Sequence, residues 1–516
     1  MGHPIALFRL ALCLTCAVAT PVLAQVSATA PANTEDTWMS VLLGGRKIGS
    51  LHIERQRDGQ TVTTTQTLAI LLTRNGKSIP LGNTIRSVET PDGQPLGFGA
   101  RSTMSAMDST VEGRRQPGGR FRVDITVGGA TRQETMDWPA GALLAEGQRL
   151  AMLRASAHPG AHYELAIFDP ASRQVAQTQV EVLGEEMVTL PDGAQSLNHQ
   201  RQRLFQSRGD QTMDLWLDSS GTARKGLIGM LGRRLEMLAC DPACAQAPAQ
   251  NVDMYRAATV DAPRPLTADL RNTLLRYRVH VDGDIAQPFI DTSEQGVTAL
   301  GHGDWQIDIG GYRANGQPPP QADDLAANAW LQSDAPAIRE LAVQAIGSAR
   351  TPEQKMRRLR SFVSDYIVQH GLDVGYASAL EVVANRQGDC TEFAVLLAAM
   401  ARAAGIPARV VTGMAYASRY DGHSRVFVPH AWVQAWLGTR WKSYDAALHR
   451  FDSTHIAIDS GDGDPWHFYG ATYLFGRLRI DSIKSPDELF DTPVETSPAP
   501  SPQGQGISGN GAGGGR

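Results

Sequence analysis

The sequence predicts an α+β protein, in which a long antiparallel β region comes first and a core of helices and strands follows. Three observations carry this reading. From Trp38 to about Gly226, short runs of alternating polarity are broken by turn pairs such as Gly44-Gly45, Asp58-Gly59, Asp92-Gly93 and Gly128-Gly129. After Pro318-Pro319-Pro320, apolar residues recur at helical spacing. Beyond Pro407 the pattern reverts to strands, two of them joined by the glycine-first pair Gly438-Thr439.

The 516 residues carry a formal charge of −5, and loss of Arg9 with a leader would make it −6. No basic block or motif suggests a nucleic-acid partner. Residues 1–24 read as a secretory leader, with Arg9 before an apolar run from Leu10 to Val18 and a small-residue cleavage signal at Val22-Leu23-Ala24. That run is too short for a membrane anchor. The expected location is outside the cytoplasm, in a bacterial periplasm or secreted.

Residues 25–36 read as a polar linker and 37–250 as an antiparallel meander, a curved sheet or open barrel. The meander holds no catalytic constellation, and it serves either as a spacer or as a surface for substrate or partner. Cys240 and Cys244, four apart around Asp241-Pro242-Ala243, suit a local disulfide in an oxidising compartment. Zinc held with His158 and His162 is the weaker alternative, because the pairs lie far apart in sequence. No metal or cofactor is expected. Residues 251–320 read as a second β region with strands at Leu274–Val281 and Gly303–Ile309. Residues 321–484 read as the core, and the Pro-, Ser- and Gly-rich 485–516 as a disordered tail.

Within the core, helices are expected at 337–348, at 351–369 behind the capping box Thr351-Pro352-Glu353-Gln354, and at 380–384. The next helix begins at Asp389-Cys390-Thr391-Glu392, a second capping box, and its stripe Phe393, Leu396, Leu397, Met400 and Ala404 gives it one buried face. Cys390 then sits in the first turn, where the helix dipole and free N–H groups favour thiolate. With the other mature cysteines paired, it is also the unpaired thiol.

A nucleophilic thiol needs a base, and the base needs an orienting group. Ala408 to Gly413 reads as a strand, followed by a polar loop around Tyr420 to Ser424. Val426–Leu437 and Arg440–Ala446 then form a hairpin across Gly438-Thr439. Its register sets Leu437 opposite Arg440 and Trp432 opposite Asp445, so His430 and Asp445 become diagonal neighbours on one face. His423 is a lesser candidate base. Trp432, Trp436 and Trp441 read as walls and core. Phe451–Ile458 and Tyr473–Ile480 are further candidate strands. Asp459, Asp462 and Asp464 lack the spacing of a calcium loop and read as a solvated turn.

The runs Gly388-Asp389-Cys390-Thr391-Glu392, Arg402 to Arg409, His430-Ala431-Trp432, Trp441 and Tyr444-Asp445 together resemble the transglutaminase-like superfamily over roughly residues 330–460. The resemblance implies a papain-like core, with Cys390 as nucleophile, His430 as base and Asp445 as orienting carboxylate. It implies an amide hydrolase acting on a protein or peptide through a thioacyl-enzyme, with a cross-linking acyltransferase as the alternative. A binding protein with an idle triad is the non-enzymatic alternative. For the oxyanion, the backbone N–H of Cys390 is one candidate donor and the Gln387 side chain a weaker second.

Overall fold

The computed structural model describes residues 33–490, apart from 75–76, 105–106, 157, 206–210, 231, 253–257, 284, 312–316, 372–375 and 466–473. The leader and most of the Pro- and Gly-rich tail lie outside these residues. The protein has the expected α+β make-up, a large antiparallel sheet followed by a helical and mixed core.

Fifteen strands between Asn33 and Cys240 form one sheet. Each of its two halves is a meander, apart from the edge strand Ala142–Leu143, which pairs parallel with His162–Asp169, and the halves join where the first strand, Asn33–Leu43, pairs antiparallel with the last, Arg233–Cys240. That first strand begins inside the stretch read as a linker, because residues 33–36 pair with 54–57 even though they are polar and exposed. The Ala145–Ser156 helix touches strands of both halves, so the sheet curls over it. Buried Glu89 fixes the helix start by accepting the N–H groups of Glu146 and Gly147 at 2.7 and 2.9 Å. Cys240 and Cys244 form a disulfide, which uses both sulfurs and removes the zinc reading.

The second sheet takes Leu275–Val281, Gln295–Gly301 and Asp304–Ile309, then draws its fourth strand, Leu478–Lys484, from beyond the core. Tyr277 opposite Ile483 and Val279 opposite Ile480 bury the apolar faces that hold this strand. Residues read as two successive regions are therefore interleaved. The expected start of this last strand, Tyr473, lies outside the described residues.

The core sheet runs Val260–Asp261, His423–Trp436, Ala408–Tyr420, His455–Gly461, with Trp441–Tyr444 paired to the far end of His423–Trp436. The polar loop expected around residue 422 is instead a tight hairpin. Asp421 and Gly422 both take positive φ, 45° and 77°, and Tyr420 pairs directly with His423. The Cys390–Ala403 helix is also more deeply set than its stripe suggested, since every residue from Thr391 to Arg402 is buried. Helices Pro336–Ile346, Pro352–Tyr366 and Ala379–Asn385 pack on it, and the sheet covers another side. Its alanines admit this close packing. Buried Arg402 is satisfied by the carbonyls of Ala408 and Ala326.

One hydrophobic cluster runs from Phe98, Phe121 and Val123 of the large sheet into Trp330, Leu359, Phe393 and Leu396 of the core. Gly128, with φ of +57°, brings a hairpin tip onto the Ser378 cap, where a Cβ would lie 2.6 Å from Oγ. The triple proline is tied down as well, with the Pro318 carbonyl accepting Trp441 Nε1 at 2.8 Å.

Candidate active site

The two capping boxes read from the sequence are both formed. At the cysteine helix, Asp389 Oδ1 accepts the Thr391 N–H at 3.0 Å and Glu392 Oε2 accepts the Asp389 N–H at 2.8 Å. Cys390 is therefore the first helical residue, and it is partly exposed. Glu392 does more than cap. Fully buried, it also accepts the Ala377 N–H at 2.8 Å and the Thr391 hydroxyl at 3.0 Å, fastening the segment before the 379–385 helix to the cysteine turn. Burial pushes its carboxyl well above the usual range and the charge of Asp389 adds to this, while the three donors oppose it.

The hairpin register is the one expected. Trp436 faces Trp441 and Val433 faces Tyr444, with Gly438 at φ of +94° in the turn. The ladder stops at Tyr444, two residues short of the expected Ala446, because Asp445 turns inward. Its Oδ1 accepts the Leu448 N–H at 3.0 Å, and its Oδ2 lies 2.7 Å from His430 Nε2. His430 is 5% exposed and Asp445 1%, and the cysteine helix packs on the strand that carries His430. His423 sits beside the Asp421-Gly422 turn, at the opposite end of that strand from the Trp441–Tyr444 pairing. Gln387 lies in a two-residue parallel bridge with Gln369.

Sequence reading missed two residues. His455 begins the 455–461 strand and points its Nε2 at the same Asp445 Oδ2, 3.0 Å away. Its Nδ1 lies 3.4 Å from Asp452 Oδ1 and 3.0 Å from the Asp452 carbonyl. Asp452 in turn caps the Ser453-Thr454 turn. Burial opposes a charged imidazole here, but hydrogen bonds and charges from Asp445 and Asp452 outweigh it and raise His455 to about 9. Asp445 feels the same contest. Burial raises it, the charge and hydrogen bond of His430 and those of His455 lower it, and the net shift is well below the usual carboxylate range. The only sequence hint was a histidine placed just after the Asp452 turn.

Gly413 admits His455 to this position. The ladder shifts at Thr412/Gly413, and a Cβ on Gly413 would lie 2.0 Å from the Ile456 carbonyl oxygen and 2.9 Å from the Trp432 ring. Gly413→Ala is expected to cost about 1–3 kcal/mol and to lower activity, because the 455–461 strand must move away. Urea unfolding midpoints check the first, and an unchanged midpoint would remove Gly413 from this role.

His430, Asp445 and His455 place three ligand-type atoms within 4.8 Å of one another. Both imidazoles approach one carboxylate oxygen at hydrogen-bonding distance, so their N–H groups are directed at that oxygen and not, as lone pairs, at a shared centre. Asp459 lies in a strand opposite Thr412, and Asp462 Oδ1 accepts the Asp464 N–H, so this acidic run is spread over strand and turn.

A thiol on a helix N-terminus, packed on a sheet that presents a buried imidazole–carboxylate pair, is the layout of cysteine-dependent enzymes with a papain-like core. Residues 339–446 match the family model of the transglutaminase-like superfamily. Three solved structures are similar to parts of the chain. A candidate cysteine protease from Cytophaga hutchinsonii has 16% identity and a TM-score of 0.27, covering 44% of this chain and 86% of its own. A β-barrel-like protein of a domain of unknown function from Brucella abortus has 10% identity and a TM-score of 0.32, over 40% and 95%. A candidate protease from Parabacteroides distasonis has 12% identity and a TM-score of 0.19, over 56% and 68%. No curated protein matches the chain.

Proposed function

We propose that the protein is an exported cysteine-dependent amide hydrolase with Cys390, His430 and Asp445 as its triad. The observation that carries this is the buried His430–Asp445 hydrogen bond, on the sheet against which the cysteine helix packs. Because Nε2 is held by Asp445, Nδ1 is the nitrogen assigned to the thiol. The Cys390 thiolate attacks an amide carbonyl carbon. As the C–N bond breaks, the imidazolium of His430 gives its proton to the departing amine nitrogen. Water, deprotonated by His430, then attacks the thioester and releases the acid and the thiolate. Asp445 keeps the imidazole in the tautomer and orientation these steps require. The disulfide agrees with a compartment outside the cytoplasm, and the leader-like first residues support export.

Iodoacetamide tests the thiolate without a substrate. Modification of Cys390 is expected to be rapid at neutral pH, at least tenfold faster than for the urea-unfolded chain. A slower rate in the folded protein would favour a binding protein with an idle triad. A fluorescent primary amine offered with a glutamine-bearing protein separates the two chemistries. Label incorporation that requires Cys390 would replace hydrolysis with acyl transfer.

A further inference from the structure

The carboxylate assigned to orient the base serves a second histidine as well. Asp445 Oδ2 meets His430 Nε2 at 2.7 Å and His455 Nε2 at 3.0 Å, while Oδ1 accepts the Leu448 N–H at 3.0 Å. All three side chains are buried. A triad needs one imidazole on its carboxylate, and here two share a single oxygen.

The groups around His455 decide its charge. Its Nδ1 faces two oxygens of Asp452, the carbonyl at 3.0 Å and Oδ1 at 3.4 Å. Neither donates while the carboxyl is ionised. The Asp452 N–H also lies 3.3 Å from this nitrogen, farther than the nearer oxygen. Oxygens at both ends of the ring call for a proton on each nitrogen, so the ring is an imidazolium. The raised value of about 9 agrees with that geometry.

The neighbouring elements add few charges. Arg450 comes within 3.7 Å of Asp452 Oδ2. Tyr277 donates its hydroxyl to the Ser453 carbonyl at 2.7 Å. Arg271 meets the same turn through its carbonyl, with its guanidinium held by the Leu266 carbonyl and the Tyr416 ring. Phe451 and Trp432 pack on the His455 ring at 4.8 and 5.2 Å between centroids. A cation enclosed in this way is poorly screened by solvent.

The His430 and His455 centroids are 5.6 Å apart. When His430 takes up a proton, two cations flank one carboxylate. Like charges at that spacing move an ionisation by about one to two pH units at the effective dielectric of a protein site. The pair therefore gives up its first proton at lower pH than a lone imidazolium on Asp445 would. In the proposed mechanism, that proton is the one the departing amine receives.

We propose that His455 is a positioning residue of the triad, a buried cation that fixes Asp445 and shares its charge, and so sets the alkaline edge of the reaction. The departing amine rests on the amide-hydrolase reading, whereas the sharing of Asp445 does not.

The test uses the full chain. Ring-nitrogen NMR of histidine-labelled protein at about pH 8, where an ordinary imidazole is neutral, is expected to show a doubly protonated ring. Its signals should disappear in His455→Gln. Amide cleavage and iodoacetamide alkylation of Cys390 are then followed over about pH 6 to 10, a range that spans both imidazoles. In His455→Gln the alkaline fall of kcat/KM should move up by at least about one pH unit, because a single imidazolium then has the carboxylate to itself. The alkaline step in the alkylation rate should move with it. Asp452→Asn keeps the shape of the turn but removes a charge that holds the proton on His455. It should shift both profiles in the same direction, and it serves as the test if His455→Gln does not fold. A lower kcat with unmoved profiles would reduce His455 to packing and overturn the proposal, as would a neutral His455 in the spectra. Absence of cleavage by the natural chain would sink the hydrolase reading alone, since the alkylation profiles still decide the role of His455.

Discussion

Cys390→Ala is expected to abolish amide cleavage, lowering kcat on the order of 10⁵-fold or more, and His430→Ala should fall to the same floor. In the proposed mechanism the two groups act as one unit, with one holding the proton that the other must lose. The double variant should therefore be no worse than either single one. Fold stability should change little in Cys390→Ala, since the side chain is small and partly exposed. Initial rates on a casein-type protein mixture, normalised to folded protein, would check this. Multiplying losses in the double variant would mean that sulfur and imidazole work separately, and the triad would have to be abandoned.

Asp445→Ala is expected to be the most destabilising change at the site, at about 3–5 kcal/mol, because it strips the partner from two buried imidazoles at once. The pH dependence separates the two histidines. His455 is raised in the fold to about 9, from an ordinary value near ~6.5 in the unfolded chain. A raised group contributes all of its stability below the unfolded value and loses it as pH climbs through the folded one. Between pH ~6.5 and ~9 the folded protein binds the extra proton, so stability must fall with pH, by on the order of 3 kcal/mol from this group alone. Asp445 has the opposite sign, since its depressed value stabilises above the ordinary carboxylate range and is lost only in strong acid. Urea midpoints at pH 6.5 and 9.5 should therefore differ in the natural chain and converge in His455→Gln. Equal slopes in the two proteins would show that His455 is uncharged.

Much of the site was legible in the sequence because its determinants are local. A capping box fixes where a helix begins, so Asp389 and Glu392 were enough to put Cys390 in the first turn. A two-residue turn fixes every pair outward from it, so Gly438-Thr439 set His430 beside Asp445 fifteen positions away. The same rule would have turned the expected loop at Asp421-Gly422 into a hairpin had that pair been read as a turn.

What the amino-acid order settled by itself was the thiol's place on its helix and the pairing of one imidazole with one carboxylate. The tertiary fold decided the rest. His455 reaches Asp445 only because the 455–461 strand docks on the far side of Ala408–Tyr420, across a shifted register that Gly413 permits. Turns and caps act over a few residues and leave a local signature, whereas docking is a balance of burial among distant surfaces, which no short stretch of chain records.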